Sequence, residues 1–126
     1  MTVYISGAIT GIKDDNRAAF RAAYSEVAGI KSMANLQRLK IINPITVASR
    51  LRKSFDSRNE GEPTWQDYMR ACIKKLCESD CVYFLPDWAH SEGASLERYI
   101  AKRLNIPFAD SKEELIKIIG ENYEPD

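Results

Sequence analysis

The sequence carries no surplus of either charge. Eighteen Lys and Arg face 18 Asp and Glu, for a formal net charge of zero and a pI of about 6.6. A protein that grips nucleic-acid phosphates carries a basic excess, so no nucleic-acid partner is expected. No apolar run approaches the length that spans a bilayer, which speaks against a membrane role. The opening "MTVYISGAIT" lacks a basic region followed by an apolar stretch and a cleavage site, so nothing suggests secretion. Histidine is nearly missing, with His90 alone, and the three cysteines (Cys72, Cys77, Cys81) form no C-x-x-C pair. A metal site is therefore not expected, and reduced thiols in the cytoplasm fit best. Repeats, low-complexity tracts and linkers are absent; 126 residues make one domain, long enough to bury a core without staples.

What is present alternates between strands and helices. "TVYISGA" is a strand stopped by Gly7. Phe20, Tyr24, Val27, Ile30 and Met33 then recur at helical spacing, with Asp14 or Asp15 as cap and Gly29 weakening the middle. "LKIINP" is a second strand stopped by Pro44. In residues 45 to 63 the first half can form a short helix and the charged second half reads as loop. Trp65, Tyr68, Met69, Cys72, Ile73 and Leu76 make a one-face helical stripe, capped by Thr64, with Asp67 placed to complete a capping box. "CVYFL" is a continuous apolar strand, buried on both faces. "SEGASLERYIA" opens the next helix, with Leu96, Ile100 and Leu104 towards the core. "IPFA" is a fourth strand, and "SKEELIKIIGEN" a last helix capped by Ser111 and ended by Gly120. The alternation implies an α/β fold: a parallel sheet of four to five strands with helices on both faces. Ligands of such sheets bind beyond the C-terminal strand ends, here the loops after Ala8, Asn43 and Leu85.

Within those loops, "SGAITG" is neither G-x-G-x-x-G nor a Walker A loop. Its glycines either bring backbone N–H groups to a phosphate or sugar, or simply make a strand-to-helix turn. A lone strand tyrosine such as Tyr4 more often packs in the core than reaches a ligand. Glu97 draws attention because no cation lies three or four residues away. Gly93, Ala94, Ile100 and Ala101 surround it, and the helix start favours an ionised carboxylate. The alternative is a solvated Glu. Ser91 is a helix cap whose surroundings also suit an anion. His90 reads as a loop residue near the site. Arg50, Arg52, Lys53 and Arg58 read as a solvated charged segment within reach of a phosphate.

Taken together, "VYISGAITG", "INP", "DYMR", the stretch from Asp80 to Trp88 and "S-x-G-A-x-L-E" resemble the phage and bacterial family called domain of unknown function 4406. That family looks like a branch of the nucleoside 2-deoxyribosyltransferase superfamily. The resemblance implies one flavodoxin-like (Rossmann-like) domain over residues 1–126, a homo-oligomer, and chemistry on the N-glycosidic bond of a deoxynucleoside or deoxynucleotide without cofactor. It makes Glu97 the catalytic glutamate and Tyr4 the residue that orients it. It places Gly7, Ala8, Ile9, Thr10 and Gly11 of the first loop, with Trp88, Ser91, Gly93 and Ala94, around the substrate. Ser91 stands where the nucleotide-hydrolysing branch binds phosphate and the transferase branch has an aspartate, which leans towards a 5′-monophosphate. Two positions depart from the pattern. Cys72 replaces an aspartate that faces the base or sugar, and Ala8 replaces a second phosphate-binding serine.

The expected chemistry is attack of ionised Glu97 on the anomeric carbon through an oxocarbenium-like transition state, then release to water or to a second base. Asp67 is the candidate acid for the departing base if its helix start folds over the pocket. The rival readings are a nucleotide-binding or sensing protein without turnover, which Cys72 and Ala8 favour, and a partner-binding protein that uses residues 45–63 as its contact surface.

Overall fold

Strand β1 (Thr2–Ser6) alternates its side chains between two apolar layers, and both layers are buried. Val3 and Ile5 face one way, Tyr4 and Ser6 the other. Around it the computed structural model, which describes residues 1–9 and 13–124, arranges β2 (Lys40–Ile42), β3 (Cys81–Phe84) and β4 (Phe108–Ala109). All pairings are parallel, in the order β2-β1-β3-β4. Val3 pairs with Ile41 and Cys81, and Ser6 with Phe84. The chain leaves β1 towards β2 on one side and returns to β3 on the other. This reversal opens a crevice at the C-terminal ends of β1 and β3. The domain is thus α/β with a flavodoxin-like parallel sheet of four strands.

Helices α1 (Arg17–Met33) and α5 (Lys112–Asn122) cover the Val3–Ile5 face through Phe20, Ala23, Val27, Leu115 and Ile119. The opposite face, with Tyr4, Val82 and Phe84, takes α3 (Trp65–Cys77) and α4 (Glu92–Arg103), and α2 (Pro44–Ser57) packs beside α3. The caps at Thr64, Ser91 and Ser111 form as the sequence suggests. Thr64 and Asp67 exchange both bonds of the capping box, at 2.9 and 3.1 Å.

Several elements differ from the sequence expectation. Neither Asp14 nor Asp15 caps α1. Both, with Asn16, take left-handed backbone (φ 53°, 55° and 60°), and the Asn16 amide instead donates to Ala8 O (2.9 Å) and Asp87 Oδ2 (3.0 Å). Tyr24 and Met33 are exposed, Met33 at 91 %, because the buried stripe runs through Phe20, Ala23, Val27 and Ile30 and both residues lie off its centre line. Helix α2 continues through Ser57 rather than stopping half-way, with Asn43 as cap and Pro44 in its first turn, where a missing N–H costs nothing. Helix α4 seats on Ala94, Glu97 and Ala101, not on Leu96 and Leu104. Small residues let it approach the sheet closely and leave Leu104, its C-cap, exposed. Gly120 sits inside α5, which ends at Asn122. Among the described residues no helix is long and apolar enough to cross a membrane.

Candidate active site

Glu97 lies in the second turn of α4, which directs it back onto β1. It is 5 % exposed. Its Oε2 accepts a hydrogen bond from the Tyr4 hydroxyl at 2.5 Å and its Oε1 one from the Ser6 hydroxyl at 2.8 Å. Tyr4 and Ser6 are two residues apart on one strand, so the pleat aims both at α4. Among the described residues no cation shares this burial, and the loss of hydration pushes the Glu97 carboxyl up to about 7. The two hydroxyl donors act the other way, favouring the charged form, but burial outweighs them. Tyr4 is held well above the ordinary phenol range, by its own burial first and by the Glu97 charge second. Tyr4 is therefore a donor, not a proton source. A buried, uncompensated carboxylate is costly to a fold, and such groups concentrate at functional sites.

Glu97 and Tyr4 line a cavity of about 460 Å³, well within the range of small-molecule pockets. Gly7 and Ile9 of the first loop reach it, as do Ser91, Gly93 and Ala94 at the start of α4. Helix α3 forms one wall with Trp65, Tyr68, Met69 and Cys72; its apolar stripe is thus split between pocket and core, and Trp65 stays 37 % exposed. Helix α2 adds Ile45, Ala48 and Arg52. Asp15, Arg17, His90 and Glu92 supply the charged and titratable groups of the lining beside Glu97 and Arg52.

The expected substrate residues divide. Gly7, Ile9, Ser91, Gly93 and Ala94 reach the cavity. Thr10 and Gly11 lie outside the described residues. Ala8 does not line the cavity: it is buried, its N–H donates to Asp87 Oδ1 at 3.3 Å and its carbonyl accepts from Asn16. Trp88 turns away to lie 4.0 Å under the Arg98 guanidinium, which Phe84 and Phe108 also flank and which Asp110 holds through both oxygens at 2.7 and 2.9 Å. Asp67 is committed to the capping box. The Thr64 bonds hold its carboxyl below the usual range, and it does not line the cavity, so it is not placed to protonate a departing base.

The glycines and alanines mean something more specific than clearance. A Cβ at Gly7 would stand 2.6 Å from Leu85 Cδ1, so the loop passes directly over Leu85. A Cβ at Gly93 would meet Met69 Sδ at 3.1 Å, so this glycine lets α4 approach α3. Ala101 packs in the core. Cys72 does face the cavity, as a buried thiol pushed up to about 11 by burial and then by the Glu97 charge; it stays neutral. Ser6, Arg17, Ile45 and Ala48 were not singled out as site residues from sequence, and Arg52 was named only within a charged segment read as solvated, although a serine on the buried face of β1 was a readable sign. Among the described residues no group of three or more His, Cys, Asp or Glu converges as metal ligands.

The chain thus forms an α/β domain with a parallel sheet and a buried carboxylate beside a cavity at its switch point. The chain belongs to the family described as domain of unknown function (DUF4406), whose family model matches residues 1–110. That span holds β1 to β4 and the whole candidate site. No curated protein and no solved structure matches the chain.

Proposed function

We propose that this protein cleaves the N-glycosidic bond of a 2′-deoxynucleoside or its 5′-monophosphate, with Glu97 as nucleophile, in the manner of the nucleoside 2-deoxyribosyltransferase-like superfamily. One observation carries the reading: a buried carboxylate, without a cation, fixed by two hydroxyls at the wall of a nucleotide-sized cavity. Such a group lacks positive charge, and an oxocarbenium ion forming at the anomeric carbon supplies it. The ionised Glu97 oxygen bonds to that carbon as the bond to the base breaks with its electron pair. The leaving base takes its proton from solvent through the open side of the cavity. Water then attacks the anomeric carbon of the glycosyl ester and gives up a proton to solvent, Glu97 leaves as the carboxylate, and free sugar or sugar phosphate departs; a second base in place of water gives transfer. Trp65 and Tyr68 offer aromatic faces to the base. An ionisation near pH 7 leaves a workable nucleophilic fraction at neutral pH.

Cys72 favours a second reading, a nucleotide sensor that binds without turnover. No second carboxylate stands beside Glu97 on α3, and the nearest one on that helix start, Asp67, is tied to Thr64. The partner-binding reading would use the exposed outer face of α2 and the charged residues that follow it, since only the inner face of α2 lines the cavity. The deciding experiment is a panel of deoxy- and ribonucleosides and their monophosphates, scored by chromatography for free base and by melting shift. The enzyme releases base from a deoxy compound, and Glu97→Gln abolishes that release. A melting shift without base from any member supports the sensor. Neither effect from any member refutes the proposal.

A further inference from the structure

Arg52 is only partly exposed and, among the described residues, makes no ion pair. It is half-buried on α2 and reaches the cavity that contains Glu97. Its Nη1 donates to the Tyr68 hydroxyl at 3.4 Å, and its guanidinium lies 6.0 Å from the centre of the Tyr68 ring. Among the described residues no carboxylate pairs with it. Asp56 and Glu62 border a separate shallow cleft on its other side without reaching ion-pair distance. A guanidinium has five N–H donors in a rigid fork suited to phosphate or carboxylate, and a neighbouring hydroxyl reduces the freedom lost when it binds. Arg17, at the start of α1, adds a second cation to the same lining, likewise without a carboxylate partner among the described residues.

The α4 side of the cavity is less suited to an anion. Glu92 lies in the first turn of α4 and lines the cavity there, and the Ser91 hydroxyl already accepts the Ala94 N–H. A dianion seated at that helix start meets Glu92, whereas one seated against α2 and α3 meets Arg52. We infer that Arg52, held by Tyr68 and assisted by Arg17, binds the phosphate of the substrate, so that the cavity selects a phosphorylated ligand over its neutral counterpart. The inference rests on the glycosidic reading for the rest of the ligand, but its test does not depend on turnover.

Arg52→Gln is compared with Lys53→Gln, which removes the same charge one residue away on a side chain that does not line the main cavity. Each is made in the wild-type and in the Glu97→Gln background. In the first background the ratio of kcat/KM for a 5′-monophosphate to that for the matching free nucleoside is measured. In the second, the melting rise given by each of these two ligands is measured. Arg52→Gln lowers the ratio at least tenfold and removes the extra melting rise due to phosphate; Lys53→Gln does neither. Tyr68→Phe, which frees the guanidinium without removing it, gives a smaller loss in the same direction and serves if Arg52→Gln does not fold. An unchanged phosphate preference in Arg52→Gln, an equal loss in Lys53→Gln, or no preference in the parent overturns the inference. Base release by the parent then leaves the glycosidic reading standing, and absence of release with an intact phosphate preference does the reverse.

Discussion

Glu97→Gln is expected to remove a loss of stability that accompanies rising pH. In the native protein the carboxyl ionises near 7, against an ordinary value of 4.5. Between these values the native state holds a proton that the unfolded chain has lost, so stability falls as pH rises across that window. The difference, at about 1.4 kcal/mol per pH unit, is about 3 kcal/mol, fully present below pH 4.5 and lost above pH 7. Glutamine is nearly isosteric and neutral at every pH. Its carbonyl can accept from one of the two hydroxyls while its NH2 donates to the other, so the variant keeps the packing and loses the titration. Urea unfolding at pH 5, 6, 7 and 8 gives the stability difference between the two proteins. Comparison within each pH cancels Asp67 and Asp110, whose carboxyls are held low by hydrogen bonds and titrate at the acid end. The variant is expected to be the more stable at pH 8 and to lose that advantage towards pH 5. A difference that does not vary between pH 5 and 8 refutes the claim that Glu97 is buried without compensation.

Tyr4→Phe removes one of the two donors that favour the charged carboxylate, so the acid limb of the base-release profile should move above pH 7 and the rate at pH 7 fall on the order of tenfold or more; a profile that stays in place contradicts the role given to Tyr4. Gly7→Ala sets a methyl 2.6 Å from Leu85 Cδ1 and should cost about 1–3 kcal/mol in urea unfolding. Adding Leu85→Ala should recover part of that cost, so a strictly additive double variant speaks against the clash. A nucleoside mimic carrying a protonated ring nitrogen in place of the anomeric carbon should bind more tightly than its neutral carbon analogue, by a margin that widens from pH 6 to 8 and vanishes in Glu97→Gln; calorimetry measures it. Arg98→Met keeps an apolar stem on the Trp88, Phe84 and Phe108 rings and loses the paired bond to Asp110, so it should lower stability by about 1–2 kcal/mol, with the melting temperature as the readout.

Much of the architecture was legible because periodicity is local. Strand alternation, the α3 stripe and the Ser and Thr caps follow from neighbouring residues, and the crevice follows from chain order. Glu97 stood out as a carboxylate without a local partner, and its partners proved to be distant in sequence: Tyr4 and Ser6, 93 and 91 residues away. The resemblance supplied Tyr4, whereas Ser6 was signalled only by being polar on a strand otherwise buried and apolar. Arg52 could not be told apart from Arg50, Lys53 and Arg58 for a different reason. In a charged stretch a guanidinium that lines a cavity reads the same as one in solvent until the crossover connection between β2 and β3 has folded back. Trp88 was misplaced by the same limit: it lies in the loop after β3, but Arg98, next to Glu97 on another face of α4, captures its ring. Asn16, not an aspartate, stands at the start of α1, and its side chain does not cap the helix; its amide donates to Ala8 O and Asp87, which a carboxylate cannot do.

The enzyme and sensor readings place opposite demands on the same carboxylate. A sensor gains affinity only from interactions made in the resting complex, and a neutral deoxyribose offers Glu97 no positive charge. It would therefore retain a buried ionisable group that destabilises the fold near neutral pH and returns nothing on binding. For glycosidic chemistry the uncompensated charge is useful because its partner appears only as the bond to the base breaks. Tyr4 and Ser6 sharpen the contrast. Each donates to a different oxygen of Glu97, which fixes the carboxylate plane and lowers the cost of ionising it, but neither neutralises it. A design for passive binding would place a cation there. The nearest arginine along the helix, Arg98, is instead held away from the site by three aromatic rings and Asp110. Among the described residues the cavity keeps a cation at its α2 wall, where a phosphate is argued to sit, and none beside Glu97, where the proposed chemistry brings positive charge only in the transition state.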